Sequence, residues 1–274
     1  MKPPQSSCVA RVPPIAETRD WQAPSVFRPE SLLREARRQK GLHAALVPPV
    51  CVLDPDGDLV RYVEAERGAV PAPHWACYHT RLIEWGKDGQ RIGAIGNAVG
   101  AAYAVLVAEQ LFCCGCRLLI SVTSAGQLVE AGSPPYYVAI DRALRDEGTS
   151  YHYLPPSDFS FVNHTLLDAL WPALSRATTN PIHRGASWTT DAPFRETEVE
   201  IAAAAARGLL VVEMEAAGLY AFAAARGRDV LCLAHVSNRL GQAGDFEKGD
   251  ADGAPASLRL VEAAAAAWRE QTAG

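Results

Sequence analysis

An α/β fold built as a single domain is what the sequence predicts, and three observations predict it. Short apolar runs, of which Leu209-Leu210-Val211-Val212 and, with one serine, Leu118-Leu119-Ile120-Ser121-Val122 are examples, match strands buried on both faces of a covered sheet. Those runs alternate with apolar or alanine-rich stretches of helical length, residues 101–112 and 216–225 among them. Finally, 274 residues with 49% hydrophobic content suffice for a large core, and α/β chains of this size are commonly one domain.

Residues 1–29 are rich in proline and polar side chains without sustained periodicity, so they are expected to form an extended arm packing on a neighbour. The domain proper is expected to span 30–274. Residues 30–40 read as a short charged helix, and two apolar stretches flank the break at Pro48-Pro49. Asp54-Pro55-Asp56-Gly57-Asp58 reads as a turn; as a calcium loop it lacks the closing Glu. A strand over 92–95, a loop over 96–100, a helix over 101–112 stopped by Gly115 and a strand over 118–122 form one unit. Its glycines, Gly93, Gly96 and Gly100, match neither a dinucleotide fingerprint nor a P-loop.

Tyr136 to Ile140 is a further strand, followed by an expected charged turn over 142–149 and an amphipathic helix over 161–177. Asp191 is placed to cap the helix that Pro193 helps to start. The strand over 230–236 leads into a polar loop over 241–255, read as a lid, and the last helix covers 257–271.

The chemistry gathers around one corner. Glu213-Met214-Glu215 stands where the 209–212 strand ends and the next helix begins, so both carboxylates lie near the positive end of its dipole. An acid directly after a buried strand is poorly placed for a purely solvated role. Ser237-Asn238-Arg239 is the polar cluster at the carboxyl end of the following strand, where ligands of open α/β sheets bind.

Several functions are disfavoured. A net charge of −5 without a dense Lys/Arg cluster argues against a nucleic-acid footprint. No apolar run is long enough to span a membrane, and Met1-Lys2-Pro3-Pro4-Gln5 does not open an apolar signal segment. The expected location is cytoplasmic, and the odd count of seven cysteines fits a reducing compartment. Cys113, Cys114 and Cys116 are adjacent, but no second Cys or His pair stands at a ligand spacing, so packing is expected and no metal.

The pattern Val-Glu-Met-Glu-Ala-Ala-Gly-Leu-Tyr over 212–220, followed by Val-Ser-Asn over 236–238, resembles the purine nucleoside and uridine phosphorylase superfamily. Thr123-Ser124-Ala125-Gly126 resembles that family's phosphate loop, and Trp188-Thr189-Thr190-Asp191-Ala192-Pro193-Phe194-Arg195-Glu196 its base-pocket segment. The resemblance implies a mixed central sheet flanked by helices and a homo-oligomer, whether dimer, trimer or hexamer. It implies cleavage of a nucleoside's N-glycosidic bond by phosphate as co-substrate, giving ribose 1-phosphate and free base with no other cofactor. Carried over, Met214, Glu215 and Glu213 meet the ribose, Ser124 and Gly126 the phosphate, and Phe194, Asn238 and Arg239 the base. Glu215 and Asn238 are the implied catalytic pair.

Two departures bear on the nucleophile. The family's opening Gly-Asp-Pro loop with its Arg is not supplied by Val47-Pro48-Pro49, and Ser121 stands where the phosphorylases commonly carry another Arg. Arg81, Arg91, Arg195 and Arg239 are the replacements to test. A hydrolytic nucleosidase of the same fold and a non-catalytic nucleoside-binding protein stay open as alternatives. Because the amide of Asn238 offers a donor and an acceptor side by side, 6-oxopurine nucleosides or uridine are expected to be preferred over adenosine.

Overall fold

The computed structural model of the chain describes residues 15, 17, 19–87, 89–237, 248 and 250–272. The first half holds α1 (Pro29–Lys40), β1 (Val50–Asp54), α2 (Asp58–Glu66), β2 (Val70–Pro71), β3 (Ile83–Trp85), β4 (Ile92–Gly96), α3 (Ala101–Cys113), β5 (Leu118–Ser124) and β6 (Gly126–Gln127). The second holds β7 (Tyr136–Asp146), β8 (Phe159–Phe161), α4 (His164–Leu174), β9 (Ile182–Thr190), α5 (Glu198–Ala206), β10 (Leu209–Glu213), α6 (Ala216–Arg226), β11 (Asp229–Val236) and α7 (Ala254–Thr272).

Among the described residues these strands make one mixed sheet in the order β2-β3-β4-β1-β5-β11-β7-β9-β10-β6, with β8 added on β7. The strands β4, β1, β5 and β11 run parallel, and β7, β9 and β10 form a second parallel group. Between the groups β11 meets β7 antiparallel. Every residue of β1 is buried, as the continuous apolar runs require of a sheet covered on both sides. The helices α1, α3 and α6 pack as one group, and α2, α4 and α7 as another. At the α3–α6 crossing a Cβ on Gly218 would lie 2.8 Å from the Ala101 Cβ, so glycine there sets how closely the site-bearing helix approaches its neighbour.

Three expectations change. The charged stretch after Ile140 continues β7 to Asp146 instead of turning. A register shift between Ile140 and Arg142 starts a new alternation of buried and exposed positions. Arg145 then points inward, donating to Ser150 Oγ, Pro155 O, Ser157 Oγ and Leu154 O. The helix expected from 161 begins only at His164, because Phe159–Phe161 pairs with β7 and the Asn163 side chain caps α4. Thr197 and Glu200, not Asp191, form the capping box of α5; the Asp191 carboxylate accepts Gly148 N–H at 2.8 Å. In the described part of the arm, Trp21 Nε1 donates to Tyr151 O at 3.1 Å.

The first sheet strand is β1, so its loop is Asp54-Pro55-Asp56-Gly57-Asp58, and Val47-Pro48-Pro49 lies before the strand. That loop opens α2, where Gly57 adopts φ 79° and Asp54 Oδ2 accepts Val60 N–H at 2.8 Å. Cys114 and Cys116 are buried between α3 and β5, and no group of His, Cys, Asp and Glu among the described residues is arranged to hold a metal. Among the same residues, no helix is long and apolar enough to cross a membrane.

Candidate active site

The ends of β1, β5, β10 and β11 and the turn before α5 surround a cavity of about 410 Å³. Its lining includes Asp56, Ser124, Gly126, Phe194, Met214 and Glu215. Thus the structure brings the three sequence motifs to one place, as expected for a crevice at strand carboxyl ends.

The corner after β10 divides its labour between two acids. Glu213 is buried, and its Oε1 accepts from Ser187 Oγ at 3.0 Å and Thr189 Oγ1 at 2.5 Å. Its Oε2 accepts the backbone N–H groups of Glu215 and Ala216, each at 2.7 Å. Four hydrogen bonds fill the acceptor positions of a carboxylate, so Glu213 has none left for a sugar hydroxyl and fixes the corner instead. Burial raises its pKa, against the pull of these donors.

Glu215 is the free acid of the pair. It is 1% exposed, Oε1 accepts Gly100 N–H at 2.8 Å, and Oε2 has no hydrogen-bond partner. Burial first, then repulsion from Glu213, raises its pKa. An unpartnered buried carboxylate oxygen is costly, and a pair of adjacent ribose hydroxyls is the kind of ligand that would satisfy it. Met214 lines the same wall.

Opposite that corner, the Ser124 N–H donates to Asp56 Oδ2 at 2.8 Å and Ser124 Oγ donates to Asp56 Oδ1 at 3.0 Å. Both donors that Ser124 would offer a phosphate are therefore engaged by a carboxylate of the chain itself, while Gly126, the other expected contact, pairs with Val212 in the sheet and lines the cavity. Lys248 Nζ lies 3.3 Å from Asp56 and 2.6 Å from Asp58. Burial works against the ammonium, but those two acids outweigh it and raise the Lys248 pKa.

No arginine lines the cavity among the described residues. Arg81 pairs with Glu64, Arg91 with Glu84, and Arg195 lies on the outside of the turn that carries Phe194. Ser121 is buried with its Oγ unpartnered, away from the cavity lining. Phe194 is 98% exposed and stands at the rim, its face open to a planar ligand. Asn238 and Arg239 lie outside the described residues, as does most of the loop read as a lid.

Asp56 and Lys248 are the residues that sequence reasoning missed. For Asp56 a signal existed, because Asp54-Pro55 ends an apolar strand as the family's Asp-Pro does, with Leu53 in the glycine's place. Lys248 carried none, since nothing in its spacing ties it to a loop almost two hundred residues earlier.

The comparisons with known proteins agree with this geometry. A family model described as Phosphorylase superfamily matches residues 49–272. A curated relative, the DeoD-type purine nucleoside phosphorylase of Myxococcus xanthus, is 30% identical over 154 residues, 56% of this chain and 64% of its own length. The chain thus spans less than two thirds of that relative. Uridine phosphorylase from Vibrio fischeri superposes with a TM-score of 0.66 at 21% identity, covering 81% of this chain and 93% of that one. Purine nucleoside phosphorylase from Toxoplasma gondii gives 0.70 at 18% identity over 83% and 93%, and AMP nucleosidase from Bacteroides thetaiotaomicron 0.68 at 21% over 89% and 99%. At such identities the solved structures speak for the fold alone, whereas the family match extends over most of the sequence: the chain belongs to the phosphorylase superfamily.

Proposed function

We propose that the protein cleaves the N-glycosidic bond of a nucleoside and that water, not phosphate, is the nucleophile. The observation that carries this reading is the pair of hydrogen bonds from Ser124 to Asp56. A phosphate at Ser124 would have to displace that carboxylate or lie against it. Two like charges about 4 Å apart repel by about 4 kcal/mol at an effective dielectric constant near 20. A hydrogen bond to a charged group returns only about 1.5–3 kcal/mol. Asp56, Glu196, Glu213 and Glu215 all line the cavity, with Lys248 as the sole cation among its described lining residues.

The same acids suit hydrolysis. Cleavage passes through an oxocarbenium-like sugar, and a fixed carboxylate such as Asp56 beside it lowers the barrier. Glu215 orients the ribose, Met214 and Phe194 flank sugar and base, and Asp56 takes a proton from the attacking water as general base. Ser124 and Lys248 hold Asp56 in place with three of its four acceptor positions, and the fourth stays available for water. No metal or organic cofactor enters this scheme.

Phosphorolysis is the second reading, favoured by Lys248, which would serve an anion if Asp56 swung aside, and by the phosphorylase names of several relatives. The test is to incubate the pure protein with inosine, guanosine, adenosine and uridine, with and without phosphate, and to assay free base, ribose and ribose 1-phosphate. Equal base release in both buffers with ribose as product is the expected result. Phosphate-dependent release of ribose 1-phosphate would overturn it.

A further inference from the structure

Beside Asp56 lies a second, small space of about 20 Å³, open on one side and bounded by Asp54, Asp58, Thr123, His235, Lys248 and Ser257. That is room for one water molecule. His235 is 4% exposed, its ring stacks on Tyr137 with centroids 4.8 Å apart, and its Nε2 has no hydrogen-bond partner. A buried, unpartnered ring nitrogen on a residue that lines a space of this size calls for a partner that fits there.

We propose that this chamber holds one water molecule, fixed by His235 Nε2, which relays the proton collected at Asp56 to Asp54. The inference rests on the hydrolytic reading given above. In the step, the attacking water forms its bond to C1′ and gives a proton to Asp56, while the C1′–N bond breaks and its electron pair leaves with the base. Asp56 passes its proton through the chamber water to the buried Asp54, which returns it by the same water through the open side of the chamber to solvent. The departing base nitrogen takes up a solvent proton, so one water is consumed and no net proton is released.

The surroundings fit those roles. Asp56 and Asp58 face Asp54 from its own loop and α2, with Arg61 bound to Asp58. His235 faces it from β11, Lys248 and Asp252 from the segment ahead of α7, and β5 brings only the hydroxyls of Thr123 and Ser124. Burial first, then Asp56 and Asp58, pushes Asp54 up to about 7 against the Val60 N–H, so this carboxyl exchanges protons near neutrality. Burial, helped by Lys248, lowers His235 to about 4, so the ring is neutral and orients water without taking the proton. Asp54 and His235 act through Asp56 and are positioning residues.

The test joins enzymology to a structure. With inosine and uridine as probes, wild-type kcat is expected to rise with pH through a midpoint near about 7, as Asp54 loses its proton. Asp54→Asn keeps an acceptor for Val60 N–H; it is expected to remove that limb and lower the plateau about ten- to a hundredfold, with KM unchanged within about threefold. His235→Gln should lower the plateau similarly, and the double variant should be no worse than Asp54→Asn. A folded Asp54→Asn protein with the wild-type limb and plateau, and ribose as product, overturns the relay alone. Ribose 1-phosphate as product, or no turnover with any nucleoside, overturns the hydrolytic reading and the relay with it. A crystal structure of the wild-type protein gives a check that needs no turnover: water is expected within hydrogen-bond distance of His235 Nε2, and a dry chamber sinks the proposal. Should Asp54→Asn fail to fold, His235→Gln and that structure still decide.

Discussion

The Glu213 carboxylate accepts the backbone N–H of Glu215 at 2.7 Å, so one acid of the corner holds the other. Chain geometry explains the arrangement: β10 ends on Glu213, and Glu215 is the N-cap residue of α6, with φ −126°. The N–H groups left open at the start of the helix need an acceptor, and Glu213 supplies it from below.

Two substitutions should therefore separate stability from activity. Glu213→Gln places an amide donor among four donors and is expected to lower the unfolding free energy by about 1.5–3 kcal/mol. Glu215→Gln puts an amide donor where the carboxyl meets the ribose but leaves the corner intact, so base release should drop at least about tenfold, with little change in stability below about pH 5, where the folded carboxyl is protonated and the unfolded one becomes so. Denaturant titration and a base-release assay check both. Full activity in a folded Glu215→Gln protein would contradict the ribose assignment.

Stability should also depend on pH through Glu215. Burial and Glu213 raise its pKa in the folded chain above the ordinary value of 4.5. Once the pH passes that value, the folded state keeps a proton that the unfolded state has lost. The unfolded state then binds fewer protons, so stability falls as pH rises until the native carboxyl also ionises. Glu215→Gln should flatten this decline between about pH 5 and about pH 8, leaving the part due to Asp54, which is pushed up to about 7. Thermal melts of both proteins across that range measure the difference; parallel curves would show that Glu215 ionises normally.

Much of this was legible in the sequence because it depends on local pattern. The continuous apolar runs of β5, β10 and β11 and the corner at Glu213 to Glu215 are encoded within a few residues each. Length and alternation sufficed to read them. The extension of β7 was not legible, since Arg142 and Arg145 look like loop charges until the bulge before Arg142 turns Arg145 into a ring of carbonyl and hydroxyl acceptors. The pairing of Asp56 with Ser124 was hidden for a different reason. It joins residues 68 positions apart through adjacent strand ends, and only the order β1-β5 in the sheet makes them neighbours.

Ser124→Ala tests that pairing from one side. The variant keeps the backbone N–H to Asp56 Oδ2 and loses the hydroxyl to Oδ1. One hydrogen bond to a charged group is worth about 1.5–3 kcal/mol, so kcat should fall roughly tenfold or more as Asp56 loses its orientation. KM for the nucleoside should move by less than about threefold. If instead only the apparent KM for phosphate rose, Ser124 would be an anion ligand, as the resemblance implied.

Asp56→Ala tests it from the other side and separates the two nucleophiles most sharply. With the carboxylate gone, the Ser124 N–H and hydroxyl lose their shared acceptor, and Lys248 keeps only Asp58. Turn N–H groups beside a hydroxyl and an ammonium make an anion-binding concavity, so the variant should bind inorganic phosphate where the wild-type protein does not. Binding to the folded state alone raises stability by RT ln(1 + [L]/Kd), about 2.7 kcal/mol at a hundredfold excess over Kd. The expected result is a melting temperature that climbs with phosphate in Asp56→Ala and stays level in the wild type. Hydrolysis should fall by about a hundredfold or more with the general base removed, and any turnover regained with added phosphate should yield ribose 1-phosphate. A wild-type protein whose melting temperature rises with phosphate as steeply as the variant's would show that Asp56 yields to the anion, and the hydrolytic reading would fall.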